Sequence, residues 1–262
     1  MERMRLADTI DTHCHLDSVE PLNEALQAAC DCGVSGIIAV GEDITSNTKI
    51  LEIAAQKYPV KIYPAIGLHP GKVTFENYEE NIEFIKKNIG KVIAIGESGL
   101  DFWINSARKD LAQRELQIKS FKAQIALANK HNLPLSAHTR GAWAETLEIA
   151  RQEGLKKCIF HWFTGPFDVL NGVLDAGYYI SATPAAEYSP QLIETIKNCP
   201  FENLLIETDS PVIYKPETGH FKSQPKDLIR TIQAVAKIKG KPEAEVAIAC
   251  NKTAKELFNL ST

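Results

Sequence analysis

No stretch of this 262-residue chain approaches the ~18 uninterrupted apolar residues that a membrane-crossing helix requires. The opening Met1-Glu2-Arg3-Met4-Arg5-Leu6 lacks the apolar core of a secretory leader, so the chain reads as a cytoplasmic protein that is not exported. Cysteine pairs at redox or zinc-finger spacing are missing too: Cys14, Cys30, Cys32, Cys158, Cys199 and Cys250 include no C-x-x-C. A chain this long is no small disulfide scaffold, and its thiols fit a reducing compartment. An excess of basic residues is also lacking. Lys and Arg number 29 against 33 Asp and Glu, and the formal net charge of −4 excludes an overall field that would hold duplex nucleic acid. A polyanion would have to be held locally, as bound divalent cations can do. No internal repeat, low-complexity tract or linker divides the chain.

What is present is a regular alternation of strand-like and helix-like segments. With 44% hydrophobic residues the chain can bury one large core, and its length lies near the ~250 residues of a (β/α)8 barrel. One domain over 1–262 is expected rather than two. Eight short β-like runs fall at roughly 8–13, 36–40, 61–68, 92–97, 134–138, 156–161, 177–182 and 203–208. Amphipathic segments lie between them, including 21–32, 45–57, 75–89, 108–131, 142–153 and 189–197. In the fourth gap Leu111, Leu116, Ile118, Phe121, Ile125 and Leu127 recur at helical spacing, which predicts a helix packed outside the barrel. A turn-rich segment from Pro211 to Pro225 precedes a helix to about Lys239, and Pro242 opens a last one that ends near Phe258. The expected architecture is α/β, a single-domain (β/α)8 TIM barrel with an extra C-terminal helix.

The ends of these runs carry the chemistry. In Asp11-Thr12-His13-Cys14-His15 the two histidines are two apart, so an extended chain points both imidazoles to one side, with Cys14 turned into packing on the other. Glu97, His138, His161 and Asp209 each follow a later β-like run. In a barrel all strands are parallel and their C-terminal ends meet on one rim, so these six side chains converge. Any one histidine alone reads equally well as a satisfied core residue; six such residues at strand ends do not. The set suits two divalent cations. Glu97 is the natural bridge, with His13, His15, Glu97 and Asp209 around one cation and Glu97, His138 and His161 around the other.

Six segments, in order, resemble those of the TatD family of metal-dependent deoxyribonucleases, within the amidohydrolase-type metallo-barrels. They are Asp11-Thr12-His13-Cys14-His15-Leu16, Gly67-Leu68-His69-Pro70, Gly96-Glu97-Ser98-Gly99-Leu100-Asp101, His138-Thr139-Arg140, Phe160-His161-Trp162-Phe163-Thr164-Gly165 and Glu207-Thr208-Asp209-Ser210-Pro211. Asn251 to Phe258 resembles the family's terminal helix. The resemblance implies divalent-metal-dependent cleavage of DNA, often exonucleolytic (3′ to 5′), with metal ligands at the same six positions. The chain departs from the family after the eighth strand. An Arg-Asn-Glu-Pro-like segment is common there, and here the chain reads Gly219-His220-Phe221-Lys222-Ser223-Gln224-Pro225, a change that bears on substrate identity and leaves the metal ligands alone.

The reading that follows is hydrolysis of a phosphodiester by a metal-activated hydroxide, with Asp209 as general base and Mg, Mn or Zn as cation. His69 is placed either to contact the substrate phosphate or to pack beside Pro70, and Arg140 to clamp that phosphate bidentately or to form an outward salt bridge. Asp101 either orients a ligand or caps a helix, and the role of Glu207 is left open. Trp103, Phe163 and Tyr214 fall in loops where an aromatic face could stack on a base or close a packing lid. Net acidity favours single-stranded or 3′-ended DNA over long duplex. A monomer or weak oligomer off the membrane is expected. Two rivals stand beside this reading. One is a metal-dependent amide, ester or lactone hydrolase, or an aminoacyl-tRNA deacylase; the other is a partner-binding subunit of a larger assembly with a vestigial metal site.

Overall fold

The computed structural model describes residues 8–217 and 219–260, so Met1 to Ala7 and the last two residues of the expected 1–262 domain lie outside the described residues. Eight parallel strands pair in chain order: β1 (Thr9–Cys14), β2 (Val34–Val40), β3 (Lys61–Ile66), β4 (Ala94–Asp101), β5 (Leu135–Arg140), β6 (Cys158–Phe160), β7 (Tyr179–Ala182) and β8 (Leu204–Ile206). The helices are α1 (Leu22–Asp31), α2 (Ile44–Ala54), α3 (Tyr78–Asn88), α4 (Asn105–Arg108), α5 (Leu111–His131), α6 (Trp143–Gln152), α7 (Phe167–Asp175), α8 (Pro190–Asn198), α9 (Leu228–Lys239) and α10 (Glu243–Phe258). The expected barrel is what the chain forms.

The strands are buried on both faces, and successive residues pack alternately to two layers, as a closed sheet demands. Ile37, Ala39, Ile66, Ile95 and Phe160 pack outward under the helices, while Ile10, Ile38, Val40, Ala65, Ile159 and Leu205 form an inner cluster. Ala254, Leu257 and Phe258 of α10 join that inner cluster, so the extra C-terminal helix caps the barrel interior. The inward positions that follow toward the strands' C-terminal ends are polar, and there the site lies.

The seam between β1 and β8 is closed by the segment after β8. Thr12 Oγ1 donates to the Ile206 carbonyl at 3.0 Å, Asp209 N to His13 O at 3.0 Å, and His15 N to Ser210 O at 2.8 Å. Asp11, fully buried, accepts from Thr208 N at 3.0 Å and Thr208 Oγ1 at 2.6 Å. Its Oδ1 also accepts from His13 N at 3.3 Å, so removing the side chain leaves three buried donors without this acceptor, and each orphaned group costs ~1–3 kcal/mol. We expect Asp11→Ala to lower unfolding stability by roughly 2–5 kcal/mol, read from urea midpoints, without changing the m-value.

Several expectations need correction. β4 runs to Asp101 and β5 to Arg140, beyond the expected ends at 97 and 138, so Glu97 and His138 project from within strands. The register between β4 and β5 shifts between Ile95 and Ser98, beside Glu97. The helix expected over 108–131 begins three residues later, at Leu111, because Asp110 caps α5 by accepting from Ala112 N and Gln113 N at 2.9 and 3.2 Å; the short α4 precedes it. Leu111, at the start of that helix, is 71% exposed and belongs to no packing face. The turn-rich 211–225 segment holds a small antiparallel pair, β9 (Ile213–Tyr214) and β10 (Phe221–Lys222).

Candidate metal centre

Glu97 stands at the centre of the rim, buried to 3% exposure. Its Oε1 lies 2.7 Å from His138 Nδ1 and 2.9 Å from His161 Nε2; its Oε2 lies 3.4 Å from His15 Nε2 and 3.5 Å from His13 Nε2. Asp209 Oδ1 faces the second pair, 3.4 Å from His15 Nε2 and 3.7 Å from His13 Nε2. The six side chains thus gather in two lobes that share one carboxylate. Among the described residues three groups come close enough to hold a cation: His13, His15 and Glu97; His69, Glu97 and His138; and His13, His161 and Glu207.

The donor set fits divalent metal. A ligating histidine presents a lone pair and donates its other ring N–H to an acceptor, which fixes the tautomer. His15 Nδ1 donates to the Val40 carbonyl at 3.1 Å, His138 Nε2 to Asp101 Oδ2 at 3.1 Å, and His161 Nδ1 to Glu207 Oε1 at 3.3 Å. His13 Nδ1 meets Ser136 Oγ at 3.2 Å. The nitrogens left over turn toward Glu97, and two of them, His13 Nε2 and His15 Nε2, face each other at 3.3 Å. Two lone pairs so close need a positive charge between them.

His69 is built the other way round. Gly71 N donates to His69 Nδ1 at 2.9 Å, so the ring proton sits on Nε2, which lies 3.5 Å from Glu97 Oε1. This ring offers the site a hydrogen-bond donor rather than a lone pair. Arg140, at the end of β5, lines the same cavity of about 780 Å³.

The local electrostatics follow from this crowding. Burial opposes charge on His15, but its hydrogen bond to Asp209 and the charges of Glu97, Asp209 and Glu42 push it up to about 10. His138 and His161 are raised against burial in the same manner, by Asp101 and Glu97 and by Glu97 and Glu207 respectively. Burial would raise Glu97, yet neighbouring His69 and His161 and the bonds from His13 and His138 hold it well below the usual carboxylate range. Asp209 is likewise held down against burial, first by His15 and then by His13 and His161. In the absence of a cation, protons supply the positive charge the carboxylates call for. Metal binding must displace them, so affinity should rise with pH by about tenfold per unit for each proton released. Calorimetric titration with Zn between pH 6 and 8, in buffers of different ionisation enthalpy, checks this; a flat affinity would contradict it.

Some residues escaped the sequence reading. Asp101 meets the ring of His138 as considered, its Oδ2 accepting from that residue, but caps no helix: Oδ1 accepts from Trp103 N and Ile104 N at 2.9 and 3.1 Å in the bend before α4, whose N-terminus has no side-chain cap. Glu207 is fully buried against His161, and its Oε2 has no hydrogen-bond partner among the described residues. Glu42, just past β2, lies 3.9 Å from His69 Nδ1 and lines the cavity; the strand-end rule applied to the other candidates would have reached it. Phe163 and Tyr214 are fully buried and cannot stack on a base, and the Tyr214 hydroxyl donates instead to Thr208 O at 2.9 Å. Among the described residues, none of 219–225 lines the cavity. That segment is held by Arg230, whose guanidinium lies 3.8 Å from the Phe221 ring and pairs with both Glu187 oxygens at 2.7 Å.

A (β/α)8 barrel whose rim gathers histidines around a central carboxylate is the architecture of a metal-dependent hydrolase. The sequence model of the TatD related DNase family matches residues 10–259, and the chain belongs to that family. It is 32% identical to the uncharacterized metal-dependent hydrolase YabD of Bacillus subtilis, over 96% of this chain and 99% of that one. It is 28% identical to the human deoxyribonuclease TATDN3, over 95% of this chain and 94% of that one. The crystal structure of YJJV, a TatD homologue from Escherichia coli, aligns with a TM-score of 0.85 at 26% identity, covering 98% of this chain and all of that one. Among the described residues no helix is long and apolar enough to cross a membrane.

Proposed function

We propose that this chain, acting as one domain, is a deoxyribonuclease that hydrolyses phosphodiester bonds of single-stranded or 3′-ended DNA with two divalent cations. The observation that carries the reading is the pair of lobes about Glu97, with each oxygen facing a different pair of histidine nitrogens. His13, His15, Asp209 and Glu97 Oε2 would hold one cation; His138, His161 and Glu97 Oε1 the other. Bound Mg, Mn or Zn would lower the pKa of water and offset charge on the phosphoryl oxygens. Asp209, kept ionised by its histidine neighbours, takes the proton of the attacking water. His69 Nε2–H donates to a phosphate oxygen, and Arg140 clamps another. Asp101 and Glu207 hold the rings of His138 and His161 in their ligating orientation. The human relative named a deoxyribonuclease supports DNA as substrate. All six cysteines are free, which supports a reducing compartment such as the cytoplasm. A panel of single-stranded 3′-ended DNA, duplex DNA, lactones and N-acyl amino acids tests the reading. Single-stranded DNA should be hydrolysed fastest; turnover of a lactone or amide without DNA cleavage would overturn it.

A further inference from the structure

All three tryptophans of the chain, Trp103, Trp143 and Trp162, line the cavity that holds the histidines and carboxylates. They arrive from three different places in the chain: Trp103 and Trp162 from the loops after β4 and β6, and Trp143 from the start of α6, which follows β5. A packing role would bury such rings, yet Trp103 keeps 54% of its surface exposed. Its seat is built. A Cβ at Gly141, where φ is +70°, would stand 2.3 Å from Trp103 Cδ1, so the indole rests directly on glycine backbone. Trp143 rests in the same way on Gly165, whose Cβ would stand 2.8 Å from its Cγ. The two indoles meet edge to face with centroids 5.3 Å apart. Trp162, half-buried, instead tilts onto Tyr214 at 5.4 Å.

Asp101 ties this aromatic wall to the metal centre. The oxygen that fixes the Trp103 loop and the oxygen that accepts from His138 belong to one carboxylate. Arg140 precedes Gly141 in the chain and lines the same cavity.

We propose that Trp103 and Trp143 form a stacking platform for the nucleobase of the nucleotide whose phosphate enters the metal centre, with Arg140 at that phosphate. This deepens the nuclease reading above and rests on it. An exposed indole beside a phosphate clamp is the chemistry that holds single-stranded nucleic acid. A base inside a duplex is covered on both faces by its neighbours and has none to offer, so the platform selects unpaired or frayed ends.

Two measurements on the full-length, metal-loaded chain test the platform. Phosphorothioate oligothymidylate, which resists hydrolysis, should quench tryptophan fluorescence saturably, and Trp103→Ala should lose most of that quench. In steady-state hydrolysis, a single-stranded oligonucleotide with an abasic terminal nucleotide should show a KM about tenfold above its base-bearing twin. That ratio should fall toward one in Trp103→Ala and Trp143→Ala and return in Trp103→Phe, with thermal melts confirming folded variants. Trp143→Phe keeps the half-buried position filled if the alanine variant unfolds. An unchanged quench or an unchanged KM ratio in the variants would overturn the platform. If no cation supports DNA hydrolysis, the nuclease reading fails, and the fluorescence titration still decides whether a base stacks here.

Discussion

Glu97→Ala should abolish DNA hydrolysis, with a fall in kcat on the order of 10³ or more. Its two oxygens face four histidine nitrogens at 2.7 to 3.5 Å, so under the two-cation proposal one substitution would strip a ligand from both lobes. Bound metal, read by elemental analysis, should drop from two per chain to below one. The carboxylate is buried, and its loss leaves His138 Nδ1 and His161 Nε2 without the acceptor they now face. Some loss of stability is therefore expected, and circular dichroism must show a folded variant before the rate is interpreted. A folded Glu97→Ala protein with the parental rate would sink the bridging role.

Asp209→Asn should lower kcat by about 10²- to 10⁴-fold with a much smaller change in KM. The backbone tolerates this exchange: Asp209 has φ +47°, a conformation asparagine adopts readily. What is lost is the charge facing His13 and His15 and the atom that takes the water's proton. Metal content should fall less than in Glu97→Ala, because only one lobe is weakened. The pH–rate profile adds a sharper sign. The acid limb that tracks ionisation of the base should vanish in the variant; a parallel profile at reduced height would assign Asp209 to metal binding alone.

The fold was legible because parallel barrel strands are buried on both faces and read as short apolar runs, and all eight were found near their observed positions. The gathering of the six candidate ligands on the rim was legible for a related reason: a titratable residue that interrupts such a run near its end has one place to go. What stayed hidden depends on contacts between residues far apart in the chain. Asp11 and Thr208 are 197 positions apart, and nothing local marks the bond that helps close the barrel. Phe163 and Tyr214 sit in loops, where a sequence cannot tell a buried aromatic from an exposed one; the hydroxyl of Tyr214 is satisfied by a carbonyl six residues away. The pair β9–β10 was missed because two-residue strands carry no periodicity. Trp143 and Trp162 escaped notice because one opens a helix and the other follows His161, and only the assembled rim brings them beside Trp103. The tautomer of His69, which separates it from the other four histidines around Glu97, is written in a backbone N–H two residues on.

If the rim is a working metal centre for DNA, its activity must follow its metal content. The most direct measurement is hydrolysis of single-stranded 3′-ended DNA by protein stripped with EDTA, before and after Mg, Mn or Zn is returned one at a time, with bound metal counted in parallel. The stripped protein should hydrolyse nothing, and activity should recover with at least one cation as occupancy approaches two per chain. Undiminished hydrolysis after complete stripping, or full occupancy with no hydrolysis under any cation, would contradict that dependence.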